Sequence, residues 1–194
     1  MVRIARRRIV PMVHIPQTHK KLREAKFFLH RLLEKAKAVI IHDSEEFGFY
    51  LSAFLNAGYS VPEVLCTEYS QAAQDNQQKD QRKKWYKNWL PDWENKLTLA
   101  QSELWEFADD QRGREVHRKG AEVKADMEYV PLSEIPVENR DHPAYGVHVF
   151  GPPAIFSTPP PKIGRRVYYF ELAGAHEKTS KICRRYLELL EKFV

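Results

Sequence analysis

The chain has 194 residues, of which 29% are charged and 43% apolar, and a formal net charge of +5. That length fits one domain with a sizeable core, and so ordinary a composition excludes disordered and fibrous classes. No apolar run approaches the roughly 20 residues that a bilayer-spanning helix needs, so no membrane association is expected.

The charge is unevenly spread. Up to Arg23 there are seven basic side chains (Arg3, Arg6, Arg7, Arg8, Lys20, Lys21 and Arg23) and no acidic one, which leaves the rest of the chain at −2. The high isoelectric point therefore belongs to this leader, of which residues 1–17 are read as a basic arm suited to phosphate or to a partner. The arm is also Arg-rich and acid-free as organelle transit peptides are, although poor in Ser. The only two cysteines, Cys66 and Cys183, stand among apolar neighbours at helical spacing. They read as buried free thiols in a reducing, cytoplasmic compartment.

A first helix is predicted over about 18–41. Thr18 stands where an N-cap would, and Leu22, Ala25, Leu29, Leu32, Ala36 and Val39 recur at spacings of three and four. His42-Asp43-Ser44 then caps a second helix, whose first turn carries Glu45 and Glu46. Its stripe is Phe47, Leu51, Phe54, Gly58, Val61 and Leu65, with one side kept small by Ser52, Ala53, Asn56, Ala57 and Gly58. Pro62 should kink it or end its regular part. A third, basic helix is predicted over about 79–90 and ends at Pro91-Asp92. A fourth follows over about 92–112 on Trp93, Leu97, Ala100, Leu104 and Phe107.

From Ala121 the period changes to short β-prone runs: Val123 to Val130, Val147 to Phe150, Ala154 to Phe156 and Val167 to Phe170. Gly- and Pro-rich breaks separate them, which predicts two or three antiparallel strands. A last helix is predicted over about 175–193, on Thr179, Ile182, Tyr186, Leu189 and Phe193. The expected fold is thus α+β, mainly α: an antiparallel helical bundle with a small β-hairpin or three-stranded insert before the C-terminal helix. Residues 18–194 form one domain in this reading, with the insert at about 121–172.

Chemistry concentrates in Arg112-Gly113-Arg114-Glu115-Val116-His117. Cutting RNA without a metal needs a group that moves protons near neutral pH, which imidazole does. It also needs a fixed cation on the phosphoryl oxygens, which guanidinium supplies. Residues five apart on a helix lie about 140° apart around its axis. Arg112 and His117 would therefore have to meet through a helix end or across a two-fold interface. The alternative is a solvated helix end in which Asp109 pairs with Arg112, and Asp110 with Arg114.

Two further patterns carry weaker signals. Trp85, Trp89 and Trp93 interleave with Lys83, Lys84 and Lys87, so bases could stack beside phosphate-binding lysines; an aromatic stripe at this spacing is more often core. His14 with His19, and His142 with His148, have no Cys or carboxylate that completes a metal-ligand spacing. No Gly-rich phosphate loop occurs, and no cofactor is expected.

The R-x4-H pair after a helix, the bundle layout over roughly 18–118 with the last helix, and the run Phe49 to Gly58 resemble the HEPN superfamily of helical nucleases and nucleotide-binding bundles. The resemblance implies a homodimer whose two R-x4-H pairs face one cleft. Arg112 would bind the scissile phosphate of RNA and His117 would transfer protons. Arg114, Asp109, Lys83, Lys84 and Lys87 are the flanking binding candidates. The resemblance also implies pairing with an antitoxin or a nucleotidyltransferase-type partner. Gly113 stands where active members commonly carry Asn. A non-catalytic helical module that binds a protein or nucleotide is the alternative reading.

Overall fold

A computed structural model describes residues 14–37, 44–73, 76–117, 123–131 and 162–194. Five helices and one small antiparallel sheet account for most of them: α1 (Pro16–Lys37), α2 (Ser44–Gln71), α3 (Asn76–Glu94), α4 (Leu99–His117), β1 (Lys124–Pro131), β2 (Lys162–Leu172), β3 (Ala175–Lys178) and α5 (Thr179–Phe193). The class is α+β and mainly α, with the sheet ahead of the last helix. Most of the basic arm, residues 38–43 (the predicted end of the first helix and most of the predicted turn) and the apolar runs at 147–156 lie outside the described residues.

Helix α1 begins two residues earlier than its periodicity predicts. Pro16 opens it, since a fixed φ and a missing N–H suit a first turn. Thr18 is consequently inside the helix and fully buried, not its N-cap. The cap comes from α2: Glu68 accepts hydrogen bonds from the backbone N–H of Gln17 at 2.8 Å and of Thr18 at 2.8 Å, and from the Thr18 hydroxyl at 2.7 Å. A carboxylate distant in sequence thus satisfies N–H groups that no helical carbonyl can reach. At the other end of the pair, Lys35 meets Glu46 at 2.6 Å.

Two prolines are absorbed where sequence reading places breaks. Helix α2 runs through Pro62, and the Pro62 carbonyl accepts a bond from the Tyr86 hydroxyl of α3 at 2.9 Å. Helix α3 runs through the exposed Pro91 to Glu94, and Asn95 N–H bonds the Pro91 carbonyl at 2.9 Å. So close to a helix end a proline disturbs few remaining bonds. The break falls at 95–98 instead, and Trp93 belongs to α3. Gln101 then makes one half of a capping box at the start of α4, its Oε1 accepting from Thr98 N–H at 2.9 Å and from the Thr98 hydroxyl at 3.1 Å. The T-x-x-Q string is the sequence signal for this start.

The sheet has the order β1-β2-β3. Strand β2 alternates: Tyr168, Phe170 and Leu172 are buried against the helices, while Glu171 faces out. Phe47 of α2 stacks on Tyr168 with centroids 3.8 Å apart, and Phe107 of α4 meets Phe170 at 4.9 Å. The segment 175–178, predicted as helix, is strand β3, so α5 starts at Thr179. Ala173 (φ 50°) and Gly174 (φ 77°) close a two-residue hairpin, and Leu172 pairs with Ala175. Ala-Gly carries the glycine of such turns without the usual Asn or Asp before it, which is why the pattern is weak in sequence.

Helix α5 closes the core with Ile182, Cys183, Tyr186, Leu189, Leu190 and Phe193, each 5% exposed or less. Each large side chain among them contributes about 1.5–3 kcal/mol through burial. Tyr186 and Leu190 lie on Gly58 of α2: a Cβ there would sit 2.8 Å from Tyr186 Cε1 and 3.2 Å from Leu190 Cδ1. At Gly58 the small face of α2 is therefore covered by the chain's own last helix, while Asn56 on the same face is exposed. Among the described residues no helix is long and apolar enough to cross a membrane.

Two outcomes follow. Gly58→Ala should destabilise the fold by about 1–2 kcal/mol, because overpacking against a buried ring exceeds the helix-propensity gain; chemical denaturation measures it. The partial burial of Glu68 raises its pKa, but the bonds from Thr18 and Gln17 outweigh that and hold it below its ordinary value. Its stabilisation is thus complete above the unfolded-state pKa and fades as pH falls through the lower folded-state value. Glu68→Gln should cost about 1–2 kcal/mol at pH 7, and the difference from the parent should shrink in acid.

Candidate functional site

Four helices leave a cleft of about 590 Å³ between them, within the range of small-ligand sites. Helix α2 contributes Tyr59, Pro62, Glu63 and Cys66; α3 contributes Tyr86, Lys87, Leu90 and Glu94; α4 contributes Trp105, Glu106 and Asp109; α5 contributes Tyr186. The kink-prone Pro62 turn and the tyrosine bond to its carbonyl hold α2 and α3 as the two sides. The floor is aromatic. Trp105 lies 6.3 Å from Tyr186 and 5.5 Å from Phe193, and Trp93 meets Trp105 at 5.0 Å, all centroid to centroid.

The lining is acidic: Glu63, Glu94, Glu106 and Asp109 face one lysine, Lys87. None of the four carboxylates has an ion-pair partner within 4 Å among the described residues. The tyrosines feel this charge. Burial first, then Glu63 and Asp109, push the Tyr59 phenol above its ordinary pKa, against the opposing Arg112. Burial, then Asp109, push Tyr186 well above the usual tyrosine range. Both phenols therefore stay neutral and can donate hydrogen bonds. Burial also raises the Tyr86 phenol well above that range.

Arg112 sits beside this cleft, and its guanidinium lies over the Tyr59 ring at 3.8 Å from the centroid. Its Nε is buried without a hydrogen-bond partner among the described residues. The Asp109–Arg112 ion pair expected from helical spacing does not form; the tyrosine face takes the cation instead, a contact of about 0.5–2 kcal/mol. Helix α4 continues unbroken through His117. Positions 112 and 117 thus lie about 140° apart on one helix, and a helix end does not bring them together. The side chains of Arg114 and His117 lie outside what the structure describes.

The other sequence candidates divide. Asp109 and Lys87 line the cleft. Lys83 and Lys84 are exposed on the outer side of α3. The tryptophan series splits the same way. Trp89 and Trp93 pack on Phe193 at 5.4 and 4.8 Å, whereas Trp85 is half exposed and stacks on Trp89 at 5.9 Å. Cys183 is fully buried, and burial raises its thiol pKa well above the usual range; Cys66 is half-buried at the cleft, and both are free thiols. His14 and His19 are exposed, and no three His, Cys, Asp or Glu side chains among the described residues converge as metal ligands. Sequence reading missed Tyr59, Glu63, Trp105, Glu106 and Tyr186 as a group. The available signal was Tyr59-x-x-x-Glu63 and Trp105-x-x-x-Asp109, an aromatic and an acid one turn apart on two facing helices.

No match to the chain is found among protein-family models, curated proteins or solved structures. The site therefore rests on its own geometry.

Replacing Tyr59 separates the ring from the hydroxyl. Tyr59→Phe should leave stability within about 0.5 kcal/mol, and Tyr59→Leu should lose about 1 kcal/mol more through the lost Arg112 contact. Equal losses in denaturant titrations of the two variants would assign that contact no weight.

Proposed function

We propose that the chain is a non-catalytic helical module that binds a ligand in the cleft between α2, α3, α4 and α5. One observation carries this reading: the arginine of the R-x4-H pair is committed to Tyr59, at the edge of a cleft whose lining is acidic. Phosphate oxygens approaching Arg112 from that side meet Glu63 and Asp109, and like charges at close range oppose binding. Gly113 in the place of a polar neighbour, and the separation of positions 112 and 117 on one continuous helix, point the same way.

A HEPN-like, metal-independent ribonuclease is the second reading, and a specific surface favours it. Lys83, Lys84 and Lys87 are exposed on α3, and Trp85 beside them is 50% exposed. Such a face offers phosphate contacts and a stacking platform together. Catalysis in this reading requires a homodimer in which Arg112 of one copy faces His117 of the other, with an antitoxin or nucleotidyltransferase-type partner to control it.

Incubation of the purified protein with labelled RNA in EDTA, beside a His117→Ala variant, separates the two. The expected result is no cleavage by either. Cleavage by the parent that His117→Ala abolishes would establish the nuclease and remove the module reading.

A further inference from the structure

The cleft has the chemistry of a receptor for positive charge. Two features are independent of each other. Its walls are aromatic faces and edges from Tyr59, Tyr86, Trp105 and Tyr186, and its rim holds four carboxylates against Lys87. Such a combination suits a cation that carries its own apolar surface: the rings attract it through their quadrupoles, and the carboxylates add a long-range field. A metal ion is poorly matched, because the carboxylates do not converge as a ligand set.

The floor adds a donor. Tyr186 is buried, with 5% exposure, yet it lines the cleft. Burial, then Asp109 and Tyr59, hold its phenol neutral. A neutral phenol at the floor can donate a hydrogen bond to an occupant of the cleft. The chain also makes the expected contact once by itself. The Arg112 guanidinium lies 3.8 Å over Tyr59, so this aromatic wall already accepts a cation.

We infer that the cleft binds a small organic cation, an alkylammonium head on an apolar body, held over the aromatic floor with Glu63 and Asp109 as its counter-charges. The inference rests on the reading of the cleft as a binding site and names what it takes. An anionic nucleotide is the wrong charge for it.

Choline and 3,3-dimethylbutan-1-ol have nearly the same shape and differ in charge, so calorimetric or NMR titration of the full chain with each isolates the cation. Choline should bind at least about fivefold tighter than the alcohol, and AMP should not compete. Glu63→Gln and Asp109→Asn, both at exposed positions, should each weaken choline by about fivefold at low salt, the effect of one screened ion pair. Lys87→Gln should tighten it by about two- to threefold, a gain that a misfolded variant cannot imitate. Equal binding of the alcohol, or preferential binding of AMP, would overturn the cation assignment and leave a binding module standing. Failure of choline to bind also overturns it. If that failure is accompanied by His117-dependent RNA cleavage, the module reading falls with it.

Discussion

The contact on which the architecture turns is between Gly58 and Tyr186. A phenol ring rests where any Cβ would intrude, so α2 and α5 approach closely enough for Leu190 to reach the same spot. From that contact α5 is fixed in both directions. Towards its start it is tied to the hairpin by Glu177, which takes Arg185 at 3.1 Å and Lys181 at 3.2 Å. Towards its end Phe193 gathers Trp89, Trp93 and Trp105 around it. The sheet is held on one side of this helix and the aromatic floor of the cleft on the other. Close packing makes such a junction intolerant of added volume.

The same junction explains the charge arrangement. An aromatic floor between four helices leaves room for polar side chains only at its rim, and there α2, α3 and α4 each present acids. Unpaired carboxylates gathered on one side of a small domain repel one another, a cost that folding alone gives no reason to keep. Arg112 relieves part of it from the edge, over Tyr59. Near neutrality of the chain beyond its basic arm therefore conceals a local imbalance: acidic at the cleft, basic along the outer side of α3.

Much of the fold was legible because it follows periodicity. The stripes of Leu22 to Leu32, of Phe47 to Val61 and of Ile182 to Phe193 are the core that the structure buries. Helix ends were less legible, for a physical reason in each case. The cap of α1 is Glu68, fifty residues away from Thr18, and local pattern cannot signal a partner at that distance. Pro91 and Pro62 sit where the bundle tolerates a missing N–H, so propensity was overridden by packing. Of the site, Arg112, Asp109 and Lys87 were visible as charges near a helix end, but their relation to Tyr59 was not. A cleft is made by the meeting of four helices, and no single stretch of sequence carries it.

The order in which these pieces can assemble is a consequence of the α1–α2 pairing. That hairpin is clasped at both ends, by Glu68 on the first turn of α1 and by Lys35 with Glu46 at the other. Its two helices are neighbours in sequence, so it is able to form while the chain is still being synthesised. Part of its apolar seam nevertheless lacks its cover until α5 exists, because Tyr186 packs on Phe54 and, with Leu190, on Gly58. A nascent chain halted before Thr179 would lack the Tyr186 ring that covers Phe54 and Gly58. Completion of that part of the core therefore waits for the last helix to be made.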